Sequence, residues 1–255
     1  MLSYLGGRAP AGDSHETLPS YLQRSGVEVI WRSNNWGQPP LKVAKLESAS
    51  DLRKQCRGEA CARLEYDEML LYGLEEEVRA SKSRKKLFIL HQSGSHGPQY
   101  FRKYPPEFEV FKPACRTVEP SHCSKEELLD AYDNTILYTD YFLNGVISIL
   151  KSLKGMPAVM LYISDHGESL GEFGLYLHGT PYPFAPDVQK EVPFIVWTSD
   201  NFAGRGRLAA DVARHRTSGY SQDHVFHSVL GALGVTSDIY DGRFDVFGSA
   251  FADGS

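Results

Sequence analysis

The segment 163–179 places two histidines, three carboxylates and four glycines within seventeen residues. It begins at the end of the apolar run Val159–Ile163, which is typical of a strand buried on both faces. Asp165 and His166 therefore lie at the carboxyl end of a strand, where a sharp turn at Gly167 lets both side chains converge on one point. Carboxylate oxygens and imidazole nitrogens are ordinary zinc ligands, so this pair predicts a zinc site.

The surrounding residues decide between this zinc site and a simple turn. An Asp-His-Gly tripeptide is also typical of a turn in which the aspartate caps a helix. His178, however, lies twelve residues after His166, beyond a glycine-rich loop that can fold back over the same strand end. Glu168 is near enough to orient a ligand or to bind a substrate amine. We therefore favour the zinc site, with His178 and Glu168 as further site residues.

Two other predicted strand ends carry candidate residues. His96 lies in a loop after the apolar run 87–90, between a serine and a glycine, where no packing role requires a histidine. The alternative interpretation of His96 is an ordinary surface residue. Asn35 follows the run 27–31 and is a candidate for substrate binding, although asparagine pairs are also usual in turns.

These residues need a scaffold that brings several strand ends together. Four short apolar runs predict strands, at 27–31, 87–91, 159–163 and 192–197. Helical patterns lie between and beside them, at about 18–24, 66–80, 125–153 and 221–233. Strands that alternate with helices predict an α/β fold, with a mostly parallel central sheet and helices on both faces. In such sheets ligands bind beyond the carboxyl ends of the strands, where the candidate residues lie.

The length and composition are those of one globular domain. The chain has 255 residues, 42% of them hydrophobic, and a formal net charge of −5. No basic cluster is longer than Arg84-Lys85-Lys86, so nothing indicates a nucleic-acid partner. No apolar run approaches the roughly 18 residues of a membrane span. The first residues also lack the charged start and apolar centre of a signal peptide.

The four cysteines form two close pairs in polar, turn-rich sequence. Cys56 and Cys61 are five residues apart, and Cys115 and Cys123 are eight apart. Two short disulfide-closed loops explain this spacing best and imply an oxidising compartment. The alternative is a structural zinc site that includes His122, although the spacings match no compact zinc motif.

Four stretches, in this order, resemble a known family: VEVIWRSNN, LHQSGSHGPQY, YDNTILYTDYFL and SDHGESLGEFGLYLHGTPYPFAP. They are similar to the periplasmic catalytic domain of lipid phosphoethanolamine transferases, zinc-dependent members of the alkaline phosphatase and sulfatase superfamily. That family includes enzymes that confer polymyxin resistance. The resemblance runs from Met1 to the region of Phe247. It implies one sulfatase-like catalytic domain over residues 1–255, and short disulfide-closed loops are also a feature of the family.

The resemblance implies roles for the candidate residues. Asp165 and His166 would be zinc ligands, and His96 and His178 would contact the transferred phosphate or a second zinc. Two more side chains, Glu168 and Asn35, would hold the phosphoethanolamine group. The donor would be phosphatidylethanolamine and the acceptor lipid A or a related envelope glycan, at the periplasmic face of the bacterial inner membrane. The protein would act as a monomer.

One departure from the family bears on activity. In the family a nucleophilic threonine and a glutamate zinc ligand precede a segment similar to MLSYLG, with which this sequence begins. We therefore expect the chain to lack both residues, together with the membrane-spanning amino-terminal region. Two other functions stay open: a sulfatase or phosphodiesterase of the same superfamily, and an inactive remnant that binds metal or a lipid headgroup.

Overall fold

A computed structural model describes residues 16–35, 41–58, 61, 65–203, 212 and 219–248. Seven strands lie within these ranges: β1 (Glu28–Ser33), β2 (Lys45–Ser48), β3 (Lys86–His91), β4 (Val159–Ile163), β5 (Ser169–Leu170), β6 (Tyr176–Leu177) and β7 (Phe194–Thr198). The α-helices are α1 (Leu18–Arg24), α2 (Ala49–Gln55), α3 (Leu74–Ala80), α4 (Lys125–Ser152), α5 (Asp200–Ala203) and α6 (Asp223–Leu233). The four strands predicted from apolar runs are β1, β3, β4 and β7.

The predicted helix at 66–80 is wrong in its middle. The chain forms a 3-10 helix at Asp67–Leu71 and then the separate helix α3. Gly73 lies between them with φ of 60°, a left-handed conformation that other residues adopt only at a cost.

The sequence pattern also missed β2 and α2, because the segment Lys45–Ser48 carries two charged residues and lacks an apolar run.

The main sheet is parallel. Its strand order is β2-β1-β3, with Trp31 opposite Leu46 on one side and Ile89 on the other. Strands β4 and β7 form a separate antiparallel pair, in which Leu161 lies opposite Val196. Parallel strands end at the same edge of a sheet, so the loops after β1 and β3 leave side by side.

Helices pack on both faces of this sheet, as predicted. Helices α1 and α6 contribute Leu22 and Leu230 to a cluster that includes Val29 of β1 and Ile89 of β3. The opposite cluster contains residues of α2, α4 and the 3-10 helix, and Leu90 packs against it. Neighbouring residues of β3 therefore face opposite sides, which is the alternation of a strand buried on both faces. Full burial of such an aliphatic side chain contributes about 1.5–3 kcal/mol.

Helix α4 begins as its sequence predicts. The Ser124 hydroxyl accepts from the Glu127 backbone N–H at 3.2 Å, and the Glu127 carboxylate accepts from the Ser124 N–H at 2.8 Å. This reciprocal pair satisfies two of the donors that a helix start leaves open. The disulfide Cys115–Cys123 closes the loop directly before the helix.

Both predicted disulfides are present. The Cα atoms are 5.8 Å apart in Cys56–Cys61 and 5.8 Å apart in Cys115–Cys123, a usual disulfide separation. The alternative zinc site at these cysteines is therefore wrong, because neither pair offers a thiolate. Its further candidate ligand, His122, instead lies 2.9 Å from a Glu119 carboxylate oxygen.

A buried ion-pair network fixes the carboxyl end of β1. The Arg32 guanidinium donates to Glu47 at 3.2 Å and to Glu77 at 2.6 Å, and only 3% of its side chain is exposed. It also donates to the backbone carbonyls of Leu70 and Tyr72. Burial of a guanidinium is tolerated when its donors are satisfied in this way.

Within the described residues, no helix is long and apolar enough to span a membrane.

Candidate functional site

Three histidines from separate stretches meet beyond the carboxyl ends of β3 and β4. The ring centroids of His96 and His178 are 4.9 Å apart, and those of His96 and His166 are 6.3 Å apart. The rings of His166 and His178 are stacked at 3.9 Å. We call His96, His166 and His178 the histidine cluster. Its position is the one that parallel α/β sheets use for ligands.

A short hairpin returns His178 to the strand end. Strands β5 and β6 pair with Ser169 opposite Leu177, so the chain reverses within a few residues. Between them Gly171 has φ of 110° and Gly174 has φ of 75°. Because glycine adopts these left-handed values readily, the glycine spacing of the segment is a requirement of the turn.

Gly167 has a different role from the one its position suggests. The sequence predicts that this glycine permits a sharp turn, but it is not among the described residues with positive φ. Its reason is close packing, because a Cβ atom at Gly167 would lie 2.0 Å from the Val188 carbonyl oxygen. The Gly167 N–H also donates to the Gln189 carbonyl at 3.0 Å. The loop bearing His166 is thus pressed against residues 188–189.

Glu168 links the parts of the site. Its carboxylate lies 3.0 Å from Nδ1 of His178, accepts from the Tyr100 hydroxyl at 2.9 Å and accepts from the Gly97 N–H at 3.3 Å. Only 4% of the Glu168 side chain is exposed. Burial and the neighbouring Glu168 raise the pKa of Tyr100, so this hydroxyl stays protonated and donates. The carboxylate therefore fixes His178 relative to the loop that carries His96.

The donor set suits a metal such as zinc. One ligand atom from each of His166, Glu168 and His178 lies within 4.8 Å of the others. Asp165 lies at the edge of this group, with Oδ2 3.8 Å from Nε2 of His166 and three quarters of its side chain exposed (75%). Two imidazoles with carboxylates form a nitrogen and oxygen ligand set that zinc accepts. The structure thus brings together four of the predicted site residues, Asp165, His166, Glu168 and His178, with His96 beside them.

Asn35 is placed differently from the cluster. Its backbone makes two hydrogen bonds with the Ser33 hydroxyl. The hydroxyl donates to the Asn35 carbonyl at 2.8 Å and accepts from the Asn35 N–H at 3.1 Å. Its neighbour Asn34 reaches inward and donates to the Asp67 carboxylate at 2.8 Å.

Sequence reasoning missed a polar cleft beside the site. The cleft holds about 270 Å³ and is lined by ten residues: Asn34, Glu65, Tyr66, Asp67, Ser93, Gly97, Pro98, Gln99, Arg102 and Lys103. Burial raises the pKa of Asp67 and lowers the pKa of Lys103, whose amine donates to the Ser93 hydroxyl at 2.6 Å. No local pattern marks Asp67 or Lys103, because each lies beside another charged residue, Glu68 or Arg102, and belongs to no recognisable motif.

Comparisons with known proteins agree with this architecture. A family model described as Sulfatase matches residues 3–235. Phosphoethanolamine transferase EptA of Helicobacter pylori is 44% identical over 222 residues, which is 87% of this chain and 41% of that protein. The chain thus spans less than half the length of this relative.

Two solved structures are similar over nearly the whole chain. The C-terminal periplasmic domain of phosphoethanolamine transferase EptC from Campylobacter jejuni has a TM-score of 0.83 and 35% identity, covering 94% of this chain and 73% of that one. The soluble domain of lipooligosaccharide phosphoethanolamine transferase A from Neisseria meningitidis has a TM-score of 0.82 and 35% identity, covering 93% and 71%.

Proposed function

The chain belongs to the sulfatase family, and on that premise we propose that it carries catalytic residues of a zinc-dependent phosphoethanolamine transferase. The donor in this proposal is phosphatidylethanolamine, and the acceptor is lipid A or a related envelope glycan. The observation that carries the proposal is the meeting of four predicted site residues at the strand ends, with Oδ2 of Asp165 3.8 Å from Nε2 of His166 and Nδ1 of His178 3.0 Å from the Glu168 carboxylate. The name of the Neisseria relative, a lipooligosaccharide transferase, supports a glycolipid acceptor.

Asp165 and His166 are proposed to hold zinc. When bound, zinc neutralises charge on phosphoryl oxygens and lowers the pKa of an attacking hydroxyl. Asp165 is exposed enough to turn toward an ion. The Nε2 atom of His166 lies 3.8 Å from Oδ2 of Asp165. The Nδ1 atom of the same ring lies 3.0 Å from the Gly167 carbonyl oxygen. That second contact orients the ring in the way that metal-ligating histidines require.

His96 and His178 are proposed to contact the transferred phosphate. Their rings are adjacent, and Nδ1 of His96 lies 2.7 Å from the Gly97 carbonyl while Nδ1 of His178 lies 3.0 Å from Glu168. In both rings this leaves Nε2 for a ligand. An imidazole N–H aimed at a phosphoryl oxygen stabilises charge there without reorganisation.

Glu168 and Asn35 are proposed to hold the phosphoethanolamine group. An ionised carboxylate offers about four acceptor positions. The His178, Tyr100 and Gly97 contacts use three of these in Glu168, which leaves room for the substrate ammonium. No residue of this chain is proposed as the nucleophile.

We further propose a periplasmic location and a monomer that works at the inner membrane. The two disulfides support an oxidising compartment. The Campylobacter relative is described as a periplasmic domain.

Zinc binding tests the proposal first. Elemental analysis and calorimetry on the purified chain should give about one zinc per chain. His166→Ala and Asp165→Ala should each lose it. His122→Ala is the matched control, because this exposed histidine also lies beside a carboxylate, 2.9 Å from Glu119, yet is not part of the site. Equal zinc binding in all four proteins would overturn the assignment.

The reaction needs a second experiment. Lipid A from bacteria that express the gene encoding this chain should gain the mass of phosphoethanolamine, and the gain should disappear with His166→Ala. Release of sulfate or phosphate from soluble esters, with unmodified lipid A, would instead favour a hydrolase of the same family.

A further inference from the structure

Asp67 joins the loops that follow β1 and β3. Its Oδ1 atom accepts from the Asn34 side-chain amide at 2.8 Å and from the Ser93 N–H at 2.9 Å. Its Oδ2 atom accepts from the Gly94 N–H at 2.9 Å. One carboxylate therefore holds two loops that are almost sixty residues apart in the sequence.

These two loops carry proposed site residues. Asn35 directly follows Asn34, and His96 follows the Ser93-Gly94 pair within the same turn, in which the His96 N–H faces the Ser93 carbonyl at 3.4 Å. A shift of either loop at Asp67 would thus change the distance between Asn35 and His96.

Asp67 is itself held in place. It is the first residue of the 3-10 helix Asp67–Leu71, in which Met69 and Leu70 are fully buried against helix α4 and its neighbours. The carboxylate therefore projects from a rigid base, and its position is set by the core.

Burial of the Asp67 carboxylate costs free energy. Asp67 is 3% exposed, and removal of a carboxylate from water is unfavourable unless hydrogen bonds replace the lost hydration. Burial raises its pKa, which reflects this cost. Lys103 adds a second tie, because its amine donates to the Ser93 hydroxyl at 2.6 Å.

We propose that Asp67 is a positioning residue. It fixes the loop after β1 relative to the loop after β3, so that Asn35 and His96 can contact the same headgroup. It acts through the Asn34 amide and the Ser93 and Gly94 N–H groups and does not touch the substrate. The identity of the headgroup rests on the proposed function, whereas the coupling of the two loops does not.

Two substitutions of Asp67 should weaken the coupling of the two loops to different degrees. Asp67→Asn keeps a carbonyl oxygen for the two donors at Oδ1 but turns an amide toward the Gly94 N–H, so one hydrogen bond is lost. Asp67→Ala removes all three. The matched control is Asp245→Asn, because Asp245 is 2% exposed and its carboxylate also accepts from a side chain and from the backbone, through the Tyr240 hydroxyl and the Phe247 N–H.

Two measurements on the purified chain test the positioning role of Asp67. Hydrogen exchange by NMR should be about tenfold faster at Gly94 in Asp67→Asn, and faster at both Ser93 and Gly94 in Asp67→Ala. The Kd of O-phosphoethanolamine for the zinc-loaded chain should rise about tenfold, the lower end of what loss of a ligand-orienting partner causes. Asp245→Asn should lower thermal stability to a similar degree and change neither quantity.

Each result separates a positioning role from a purely structural one. If exchange at Gly94 is the same in Asp67→Asn as in Asp245→Asn, the proposal is overturned. Should Asp67→Ala fail to fold, Asp67→Asn still decides it. If the wild-type chain does not bind O-phosphoethanolamine, the proposed function fails, while the exchange experiment continues to test the coupling.

Discussion

The Glu168 carboxylate lies 3.0 Å from Nδ1 of His178, although ten residues separate the two in the sequence. The β5-β6 hairpin produces this approach, and the Tyr100 hydroxyl and Gly97 N–H complete the shell around the carboxylate. A buried carboxylate that holds an imidazole by one nitrogen leaves the other nitrogen aimed at a ligand. This is the arrangement that orients histidines in metal and phosphate sites.

Replacement of Glu168 should impair the site more than the fold. In Glu168→Gln the shape is kept, but the negative charge beside His178 is lost, so transfer activity should fall about 10- to 100-fold. Mass spectrometry of lipid A from cells that express the gene encoding this chain measures the loss. Glu172→Gln is the control, because Glu172 lies in the same hairpin and accepts from the Leu170 N–H at 2.7 Å. An equal loss in both variants would contradict the prediction.

A methyl group at Gly167 should displace the loop that carries His166. The Cβ atom of Gly167→Ala would lie 2.0 Å from the Val188 carbonyl oxygen, so one of the two segments must move. We expect a loss of about 1–3 kcal/mol in the free energy of unfolding and weaker zinc binding by calorimetry.

Gly155→Ala separates these two effects. A Cβ at Gly155 meets no atom within 4 Å, but its φ of 85° is unfavourable for alanine. This variant should lose about 1–2 kcal/mol from backbone strain and bind zinc as the wild type does. Normal zinc binding by Gly167→Ala would show that the packing of Gly167 is not needed for the site.

The buried network at Arg32 should dominate the stability of β1. Arg32→Ala removes the guanidinium that pairs with both Glu47 and Glu77 and leaves the buried Glu47 with Lys45, 2.9 Å away, as its cation, so urea denaturation should show a loss of about 3–5 kcal/mol. Arg79 pairs with Glu75 at 2.7 Å on the surface of α3, and Arg79→Ala should cost under about 1 kcal/mol. Similar losses in the two variants would mean that the buried charges are compensated by water or by rearrangement.

Stability should fall in mild acid because of histidines in α6. Burial lowers the pKa of His224 and of His227, which are 3% and 0% exposed. Below the ordinary histidine value of about 6.5 the unfolded chain therefore binds protons more readily than the folded chain. The stability that these residues contribute is present above that pH and is lost as the pH falls toward the lowered values.

Unfolding measured between pH 5 and 7.5 checks this prediction. His227→Gln keeps an acceptor for the Asp241 N–H, which bonds Nδ1 of His227 at 3.0 Å. The slope of the unfolding free energy against pH should decrease by up to about 1.4 kcal/mol per pH unit. Substitution of the exposed His122 by Gln should leave the slope as it is. A slope that does not change in His227→Gln would rule out this histidine as a source of acid sensitivity.

Several features follow from local sequence alone. The strand Val159–Ile163 is a short apolar run, the Ser124 and Glu127 pair starts α4, and the close cysteine pairs form disulfides. Each depends on residues within a few positions of one another, so the physical cause is visible in the sequence. The histidines and carboxylates of the segment 163–179 are visible for the same reason, because the hairpin that gathers them is local.

Other features depend on which distant segments meet. Three examples are the hydrogen bonds of Asp67 to three residues, the pairing of the polar strand β2 with β1 beside Arg32, and the approach of Val188 to Gly167. In each case no local sequence pattern indicates that the two segments meet. The sequence determined the types of ligand and the strand end at which they stand. Only the tertiary structure decided their spacing, because it depends on how the core packs the 3-10 helix, the sheet and the hairpin against one another.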